Sequence, residues 1–306
     1  MVGPTPDAEW IGRHNGQMTE HPALPLRVVV ITGMSGAGRR TASHALEDHG
    51  WYVVDNLPPV MLPQLLTIAR SVHFDKVAVV LDVRSRSLFD QLPAAFDELL
   101  AADIRPEILF LEATDAVIVR RQESVRRPHP LQEDGRLLDG ISRERRMLAA
   151  LRAAADMVID TSNLNVHQLA ARVIHAYSGD GDDLRMTVMS FGFKYGIPLD
   201  ADFVFDLRFL PNPFWVPELK ALTGRDAPVA EFVLEQPGAE EFLDRVTLLM
   251  DTVMAGYVRE GRRYVTVGLG CTGGKHRSVA ITETLAARLS NERAVGFVVH
   301  RDLGRE

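Results

Sequence analysis

The sequence predicts an α/β protein of two domains, the first of them built on a parallel sheet. Short β-branched, apolar segments alternate with helical patterns along the chain, which is typical of a sheet that helices cover on both faces. In each half of the chain a glycine-rich turn, at residues 33–38 and 268–274, separates an apolar segment from a helical pattern. Ligands of such sheets bind beyond the carboxyl ends of the strands, so these two turns are the candidate sites.

The 306 residues are enough for two domains of ordinary size. The first is predicted at residues 25–178 and a smaller α/β domain at residues 185–306, joined by a polar, glycine-rich linker at residues 179–184. Residues 1–24 mix Pro, Gly, His and acids without a period, so we expect a disordered extension. Helices are predicted at residues 166–177, 215–222 and 239–259, among others.

The composition excludes several classes of protein. Hydrophobic residues make up 46% of the chain and charged residues 25%, as in a soluble globular protein. The formal net charge of −7 gives no global basic field for nucleic acid. The single cysteine, Cys271, excludes an internal disulfide and fits a reducing compartment. Because no run of about 18 apolar residues exists, we expect no membrane span and a cytoplasmic location.

The first glycine-rich turn has the context of a P-loop. It follows the apolar run at residues 28–31 and precedes a helical pattern at residues 41–49. Glycines let such a turn point its N–H groups at a phosphate, and the helix N-terminus adds a favourable dipole. The P-loop pattern requires Lys and then Ser or Thr, but this chain has Arg39 and Arg40. Arg39 can still contact a phosphate, whereas Arg40 cannot ligate magnesium. Phosphate binding is therefore favoured over hydrolysis, and a turn without a ligand is the alternative.

Acidic and basic side chains near predicted strand ends complete the first candidate site. Acids follow four strands, namely Asp55, Asp82, Glu112 and Asp160. Asp82 is a candidate magnesium ligand, with a helix-capping or solvated acid as the alternative. Four arginines, Arg120, Arg121, Arg126 and Arg127, form either a lid over nucleotide phosphates or a solvated basic face.

The second glycine-rich turn lies between a predicted strand at residues 264–267 and a predicted helix at residues 275–289. Its N–H groups, the hydroxyls of Thr272 and Ser278, and the cations Lys275 and Arg277 could converge on a phosphate or phosphosugar. Cys271 and Arg277 also fit C-x5-R, the spacing of cysteine phosphatases. That chemistry requires a general acid, for which the sequence offers no identified residue. A small buried cysteine in a tight turn is the third interpretation.

Together these segments resemble the RapZ/YvcJ nucleotide-binding proteins, also called the RNase adapter family. The resemblance rests on residues 33–40, 46–48, 54–58, 82–84, 158–162, 190–198, 202–213 and 270–279, and covers about residues 26–302. It implies a P-loop domain that binds ATP and GTP and has nucleotidase activity. It also implies a C-terminal domain that senses a phosphorylated ligand, an amino-sugar phosphate in the best-understood members.

The resemblance also implies roles for individual residues. The positions matching the ATP loop are Gly33, Met34, Ser35, Gly36, Ala37, Gly38, Arg39 and Arg40, and those matching the GTP segment are Asp82, Val83, Arg84 and Ser85. The positions matching the metabolite pocket are Arg208, Thr272, Gly273, Gly274, His276 and Arg277. Arg39 and Asp82 are the candidate catalytic groups, with Asp82 holding Mg²⁺.

The chain departs from the family pattern at three places. The P-loop ends in Gly-Arg-Arg where the family has Gly-Lys-Ser, which questions hydrolysis more than binding. Tyr195 stands where some members have His, so sugar-phosphate specificity is expected to differ. Residues 292–306 carry no net charge, whereas the RNA-binding members end in a strongly basic tail.

The leading hypothesis is a slow, regulatory ATPase and GTPase. The alternatives are a metabolite sensor that does not hydrolyse nucleotide, an RNA-regulatory adapter, a cysteine phosphatase using Cys271 and Arg277, and a small-molecule kinase. RNA and a second copy of the chain are further candidate partners, and a membrane is not.

Overall fold

The computed structural model describes residues 26–81, 91–125, 129–132, 135–177, 184–260, 262–292 and 295–305. Several predictions fall outside these residues: the extension at residues 1–24, the GTP and magnesium segment Asp82, Val83, Arg84 and Ser85, the arginines Arg126 and Arg127, and most of the linker. Among the described helices, none is long and apolar enough to cross a membrane.

The first domain is a parallel sheet with helices on both faces, as predicted. Its strands are Arg27–Gly33 (β1), Tyr52–Asp55 (β2), Lys76–Val80 (β3), Glu107–Glu112 (β4) and Met157–Asp160 (β5), in the order β2-β3-β1-β4-β5. Its described helices are Arg39–Glu47 (α1), Leu62–Ser71 (α2), Leu92–Ala101 (α3), Asp115–Val125 (α4), Leu137–Met147 (α5), Ala149–Ala153 (α6) and Val166–Tyr177 (α7), with a 3-10 turn at Pro59–Met61.

Alternation along β1 explains why both faces of this sheet are covered. Val29 and Ile31 pack into one core cluster with residues of α1 and α7. Val28 and Val30 point to the other face and pack into a second cluster with α2 and α3. A strand that is apolar on both faces must lie between two helical layers, so the α/β prediction is confirmed and the glycine turn after β1 lies at the carboxyl edge of the sheet.

The second domain has its own four-stranded parallel sheet. Its strands are Arg185–Gly192 (β6), Phe203–Asp206 (β7), Tyr264–Cys271 (β8) and Val295–His300 (β9), in the order β7-β8-β6-β9. Its described helices are Ala227–Leu234 (α8), Ala239–Arg259 (α9) and Arg277–Glu292 (α10), and 3-10 turns lie at Phe193–Tyr195 and Pro213–Trp215.

One predicted helix and one predicted loop boundary in this domain are wrong. Residues 215–222 form no α-helix: the 3-10 turn ends at Trp215 and turns follow. Val216 has φ −96° and ψ 113°, because the residue before a proline, here Pro217, is driven away from helical angles. The second glycine loop is also shorter than predicted, since β8 continues to Cys271. Gly270 belongs to the strand, where a Cβ atom would lie 2.5 Å from the Phe191 ring.

Buried polar contacts join the two domains. The Tyr264 hydroxyl donates to Glu107 at 2.8 Å, and Arg263 Nη1 donates to the same carboxylate at 2.5 Å. Burial, reinforced by the charge of Glu107, raises the pKa of Tyr264. Arg172 and Asp200 form a second buried ion pair, with nitrogen and oxygen 2.8 Å apart. Because each charge needs its partner once it is removed from water, these pairs constrain how the domains meet.

Candidate functional site

The turn after β1 has a backbone that only glycine accommodates. Gly33 has φ +132°, and a Cβ atom there would lie 2.0 Å from the carbonyl oxygen of Leu111 on β4. Gly38 has φ +101°, and a Cβ atom there would lie 2.6 Å from Leu169 Cδ2 on α7. These positions let the chain leave the sheet and start α1 within a few residues. The predicted strand–turn–helix context is therefore present.

Hydrogen bonds fix the shape of this turn. The N–H of Met34 donates to the carbonyl of Leu111 at 2.9 Å, and the N–H of Ala37 donates to the carbonyl of Met34 at 2.9 Å. Gly38 is the N-cap of α1, and no side chain of the described residues caps that helix. The first N–H groups of an uncapped helix, together with its dipole, make an anion-binding position.

The two arginines that replace the usual Lys and Ser have different surroundings. Arg39 Nη1 donates to the carbonyl of Leu81 at 2.7 Å, just beyond the end of the neighbouring strand β3. Arg40 is exposed, and Thr41 is partly buried. A hydroxyl one residue late points about 100° further round the helix. The loop thus presents a guanidinium, and not a hydroxyl, at the position where a P-loop ligates magnesium.

A buried carboxylate under the turn was not predicted. Glu144 on α5 accepts hydrogen bonds from Ser35 N at 3.0 Å and Ser35 Oγ at 2.7 Å. His129 Nε2 lies 3.0 Å from the same carboxylate, and both side chains are fully buried. His129 Nδ1 accepts from the N–H of Leu131, so Nε2 carries the proton that goes to Glu144. A sequence signal existed, because Glu144 follows Ile141 by three residues on the buried face of α5.

Arg121 holds the turn from the α4 side. Its Nη1 donates to the carbonyl of Gly36 and to Thr161 Oγ1, both at 2.9 Å, and its Nη2 donates to the carbonyl of Thr161. Burial, and then the charge of Arg120, lowers the pKa of Arg121, while Asp160 opposes that shift. Of the predicted lid arginines, Arg120 is exposed, whereas Arg121 connects the turn to the end of β5.

The acidic side chains at the strand ends differ in how far hydrogen bonds and ion pairs within the protein already use their oxygens. Glu112 is 1% exposed and binds Arg152 through both oxygens, at 2.7 and 3.1 Å, with Arg145 at 3.5 Å. Asp160 accepts from the N–H and hydroxyl of Ser162. Asp55 is exposed at the end of β2. Glu112 is therefore a buried anchor for arginines and not an open ligand.

The second glycine loop lines a cleft of about 690 Å³. Four of the six predicted metabolite residues line it: Thr272, Gly273, His276 and Arg277. The other two adjoin it. The Gly274 N–H donates to Cys271 Sγ at 3.2 Å. Arg208 pairs with Asp206 at 2.6 Å, and its carbonyl accepts from Arg277 Nη1 at 3.4 Å.

The remaining residues that line this cleft are Lys194, Asn212, Phe214, Trp215, Pro217, Lys220, Ala221, Cys271 and Lys275. None of the described residues that line it is acidic, while Lys194, Lys220, Lys275 and Arg277 are cationic. The predicted metabolite set contained none of these nine residues. Cys271 and Lys275 belong to the glycine loop itself, whereas the other seven come from two other segments, where the sequence signal is a single lysine or aromatic residue. The aromatic pair followed by a lysine, after the turn residues Pro211 and Asn212, was the available hint.

The C-x5-R pair shares this loop. Cys271 is 3% exposed, and its Sγ lies 3.1 Å from Ser278 Oγ. Arg277 Nη1 donates to the carbonyl of Leu210 at 2.8 Å, and Nη2 to Thr272 Oγ1 at 3.2 Å. Burial lowers the pKa of Arg277, and Cys271 partly offsets that shift. No carboxylic acid of the described part of the chain lines the cleft to protonate a leaving group.

The strand order of the first sheet, with a glycine-rich turn between its central strand and α1, defines the first domain as a P-loop domain. The model of the RapZ-like N-terminal domain matches residues 26–181, and that of the RapZ C-terminal domain matches residues 184–304. The chain therefore belongs to the RapZ family, and the resemblance found in its sequence is confirmed.

Two relatives are similar over nearly their whole lengths, and both are named nucleotide-binding proteins. One, from Streptomyces coelicolor, is 57% identical over 94% of this chain and 97% of its own. The other, from Cutibacterium acnes, is 57% identical over 94% of this chain and 99% of its own. Among solved structures, shikimate kinase from Bacteroides thetaiotaomicron covers 50% of this chain and 99% of its own, with 15% identity and a TM-score of 0.35. That likeness carries no argument about function.

Proposed function

We propose that the first domain binds ATP or GTP with Mg²⁺ at the turn of residues 33–40 and hydrolyses it slowly, in a regulatory role. The observation that carries this proposal is the uncapped start of α1, reached through a turn whose Gly33 and Gly38 have positive φ. That geometry gives a phosphate a set of N–H groups and a helix dipole. The names of the Streptomyces and Cutibacterium relatives support a nucleotide as the ligand.

The hydrogen bonds of the turn decide which groups would contact the phosphates. The N–H of Ala37 is already bonded to Met34, so the N–H groups of Gly36, Gly38 and the first turn of α1 would form the cradle. Arg39 donates from Nη1 to the carbonyl of Leu81, and a guanidinium carries five N–H donors in all. A guanidinium there would neutralise charge as phosphoryl transfer proceeds.

Magnesium would enter with the nucleotide. It is commonly held by phosphate oxygens, water and one or two carboxylates, and it supplies charge neutralisation. Glu112 is occupied by Arg152 and position 40 carries no hydroxyl, so the proposal keeps for this role Asp82, the candidate taken from the sequence. Arg40 fits such a site poorly as a ligand, which favours slow turnover.

The test compares charge reversal at the two edges of the first sheet. Arg40→Glu puts an exposed carboxylate at the start of α1, where it suits the helix dipole and repels phosphate. Arg105→Glu makes the same change at an exposed residue before β4, at the opposite edge of the sheet. Affinity for Mg·ATP and Mg·GTP by calorimetry, and phosphate release, are measured on the same samples. We expect Arg40→Glu to weaken binding by about tenfold or more. Equal affinity of the two variants would overturn the proposed site.

A second candidate function is metabolite sensing without hydrolysis, and the cationic cleft of the second domain favours it. There, Thr272, Gly273 and Arg277 would bind a phosphorylated ligand, with an amino-sugar phosphate as the candidate that the family suggests. The double substitution Arg39→Lys with Arg40→Ser separates the two functions. Turnover that rises about tenfold at unchanged nucleotide affinity indicates that catalysis was lost naturally and supports the sensor. Unchanged turnover would mean that Arg39 and Arg40 are not the reason for slow hydrolysis, which contradicts a natural loss of catalysis at these positions.

A further inference from the structure

The cleft of the second domain has an aromatic wall that a phosphate does not need. Phe214 and Trp215, here called the aromatic shelf, line the same cleft as Thr272 and Arg277. Their side chains are 42% and 78% exposed, and the two rings meet edge to face with centroids 5.3 Å apart. An exposed indole in a cleft that also carries cations offers a flat apolar surface for a ring of the ligand.

The backbone holds this shelf in place before any ligand binds. The side chain of Asn212 accepts from the N–H of Phe214, and the N–H of Trp215 donates to the carbonyl of Asn212 at 3.1 Å. Pro213 is buried, and its carbonyl accepts from the N–H of Val216 at 3.0 Å. A preformed surface costs little ordering entropy on binding, so it can contribute affinity.

The positive charge of the cleft exceeds what one phosphate neutralises. Lys275 is one of its cations, and even without it the lining has Lys194, Lys220 and Arg277, whereas a phosphate monoester carries about −1.5 to −2. Lys220 Nζ lies 4.6 Å from the centre of the Phe214 ring, and its carbonyl accepts from Lys275 Nζ at 3.4 Å, so Lys220 contacts both the shelf and the glycine loop. Arg277 is 4% exposed, and its Nε is buried with no hydrogen-bond partner among the residues that the structure describes. Buried donors without a partner are uncommon in proteins, so an acceptor from a ligand would be favourable beside this side chain.

We infer that this cleft binds a nucleoside diphosphate, with the phosphates on the glycine loop and Lys220 and the base stacked on Trp215. The inference rests on the anion site proposed for the second domain and names its ligand class. The volume of about 690 Å³ lies in the range of small-molecule sites. A sugar monophosphate has one phosphate and no aromatic ring, so it would use fewer of the cations and gain less from stacking on the shelf than a nucleoside diphosphate.

The test uses the full chain carrying Arg40→Glu, so that the P-loop contributes little. Calorimetry gives the affinities for UDP, ADP, inorganic pyrophosphate and glucosamine 6-phosphate. Since the chain also has Trp10 and the buried Trp51, only the quenching of tryptophan fluorescence that Trp215→Ala abolishes reports stacking. We expect both nucleotides to bind about tenfold more tightly than pyrophosphate. Trp215→Ala should weaken nucleotide binding by about fivefold to 150-fold and leave pyrophosphate within twofold. Trp215→Phe should keep part of the advantage. Phe209→Ala is the control, because that ring is 55% exposed in the same domain but does not line the cleft.

The outcomes separate this inference from the function on which it rests. If pyrophosphate binds as tightly as UDP, or if Trp215→Ala weakens both ligands equally, the base does not stack on Trp215 and the inference is wrong. The anion site would remain supported. If glucosamine 6-phosphate binds most tightly and Trp215→Ala has no effect, the ligand is a sugar phosphate. Failure of all four probes would remove the anion site itself. Fluorescence that depends on protein concentration and not on UDP would mean that a second copy covers the shelf, which also overturns the inference.

Discussion

The two glycine turns share one local plan and differ in what surrounds them. Each follows a buried strand, β1 or β8, and each leads into a helix, α1 or α10. At the first turn the neighbouring polar groups form hydrogen bonds within the protein: Glu144 accepts from Ser35, and Arg121 donates to the carbonyl of Gly36. At the second, cationic side chains such as Lys220 line an open cleft beside aromatic rings.

This difference shows that a glycine turn between a strand and a helix does not define a ligand by itself. The first turn offers backbone N–H groups while its neighbours pair with one another, which suits an anion that brings its own magnesium. The second supplies cations from three chain segments, which suits an anion that arrives without a metal. The neighbours of each turn, and not its glycines, decide this.

The largest expected effect breaks the support of the first turn. Glu144→Ala removes the carboxylate that binds Ser35 and leaves His129 buried without that partner. We expect the free energy of unfolding to fall by about 3 kcal/mol in a urea titration. The control is Glu98→Ala, an exposed glutamate on α3. Equal midpoints for the two variants would mean that the carboxylate does not hold the turn.

A smaller effect is expected at the second turn, where Arg277 is replaced by another cation and the affinity for an anion is measured. Arg277→Lys preserves the charge but loses the hydrogen bonds to Leu210 and Thr272, because an ammonium has no planar fork. We expect the affinity for pyrophosphate, measured by calorimetry, to fall about 30-fold, or roughly 2 kcal/mol. Arg288→Lys is the matched control on the same helix, where Arg288 pairs with Glu240 at the surface. If both lysine variants bind alike, charge alone explains the site.

Much of the fold could be predicted because its signals are local. The helices at residues 166–177 and 239–259 match the structure, since each is a long amphipathic pattern. The glycine turns were also found, because strand, glycines and helix are consecutive in the chain. The helix predicted at residues 215–222 is wrong, because Pro217 keeps the residue before it from adopting helical angles.

The parts of the sites that were missed are those assembled from distant segments. Glu144 is 109 residues from Ser35, and nothing in a linear pattern says which loop a buried acid will meet. Trp215 and Lys220 were assigned to a helix, so their place beside the second glycine loop could not be seen. Packing of elements far apart in sequence sets these contacts, and a single sequence does not report it.

The smallest expected effect sharpens the chemistry of the second turn. Cys271 is buried, its sulfur contacts Ser278 Oγ and the N–H of Gly274, and no carboxylic acid among the described residues lines the cleft. Cys271→Ser keeps a small hydrogen-bonding atom there, so we expect pyrophosphate affinity and any release of p-nitrophenol from p-nitrophenyl phosphate to change by less than about twofold. Cys271→Ala, which removes the acceptor of the Gly274 N–H, serves as the comparison and should loosen the loop more.

Loss of hydrolysis in Cys271→Ser with binding retained would establish the cysteine as a nucleophile, because a serine fills the same space without forming a thiolate. The second turn would then be a reacting site, and the contrast with the first would be one of chemistry as well as charge.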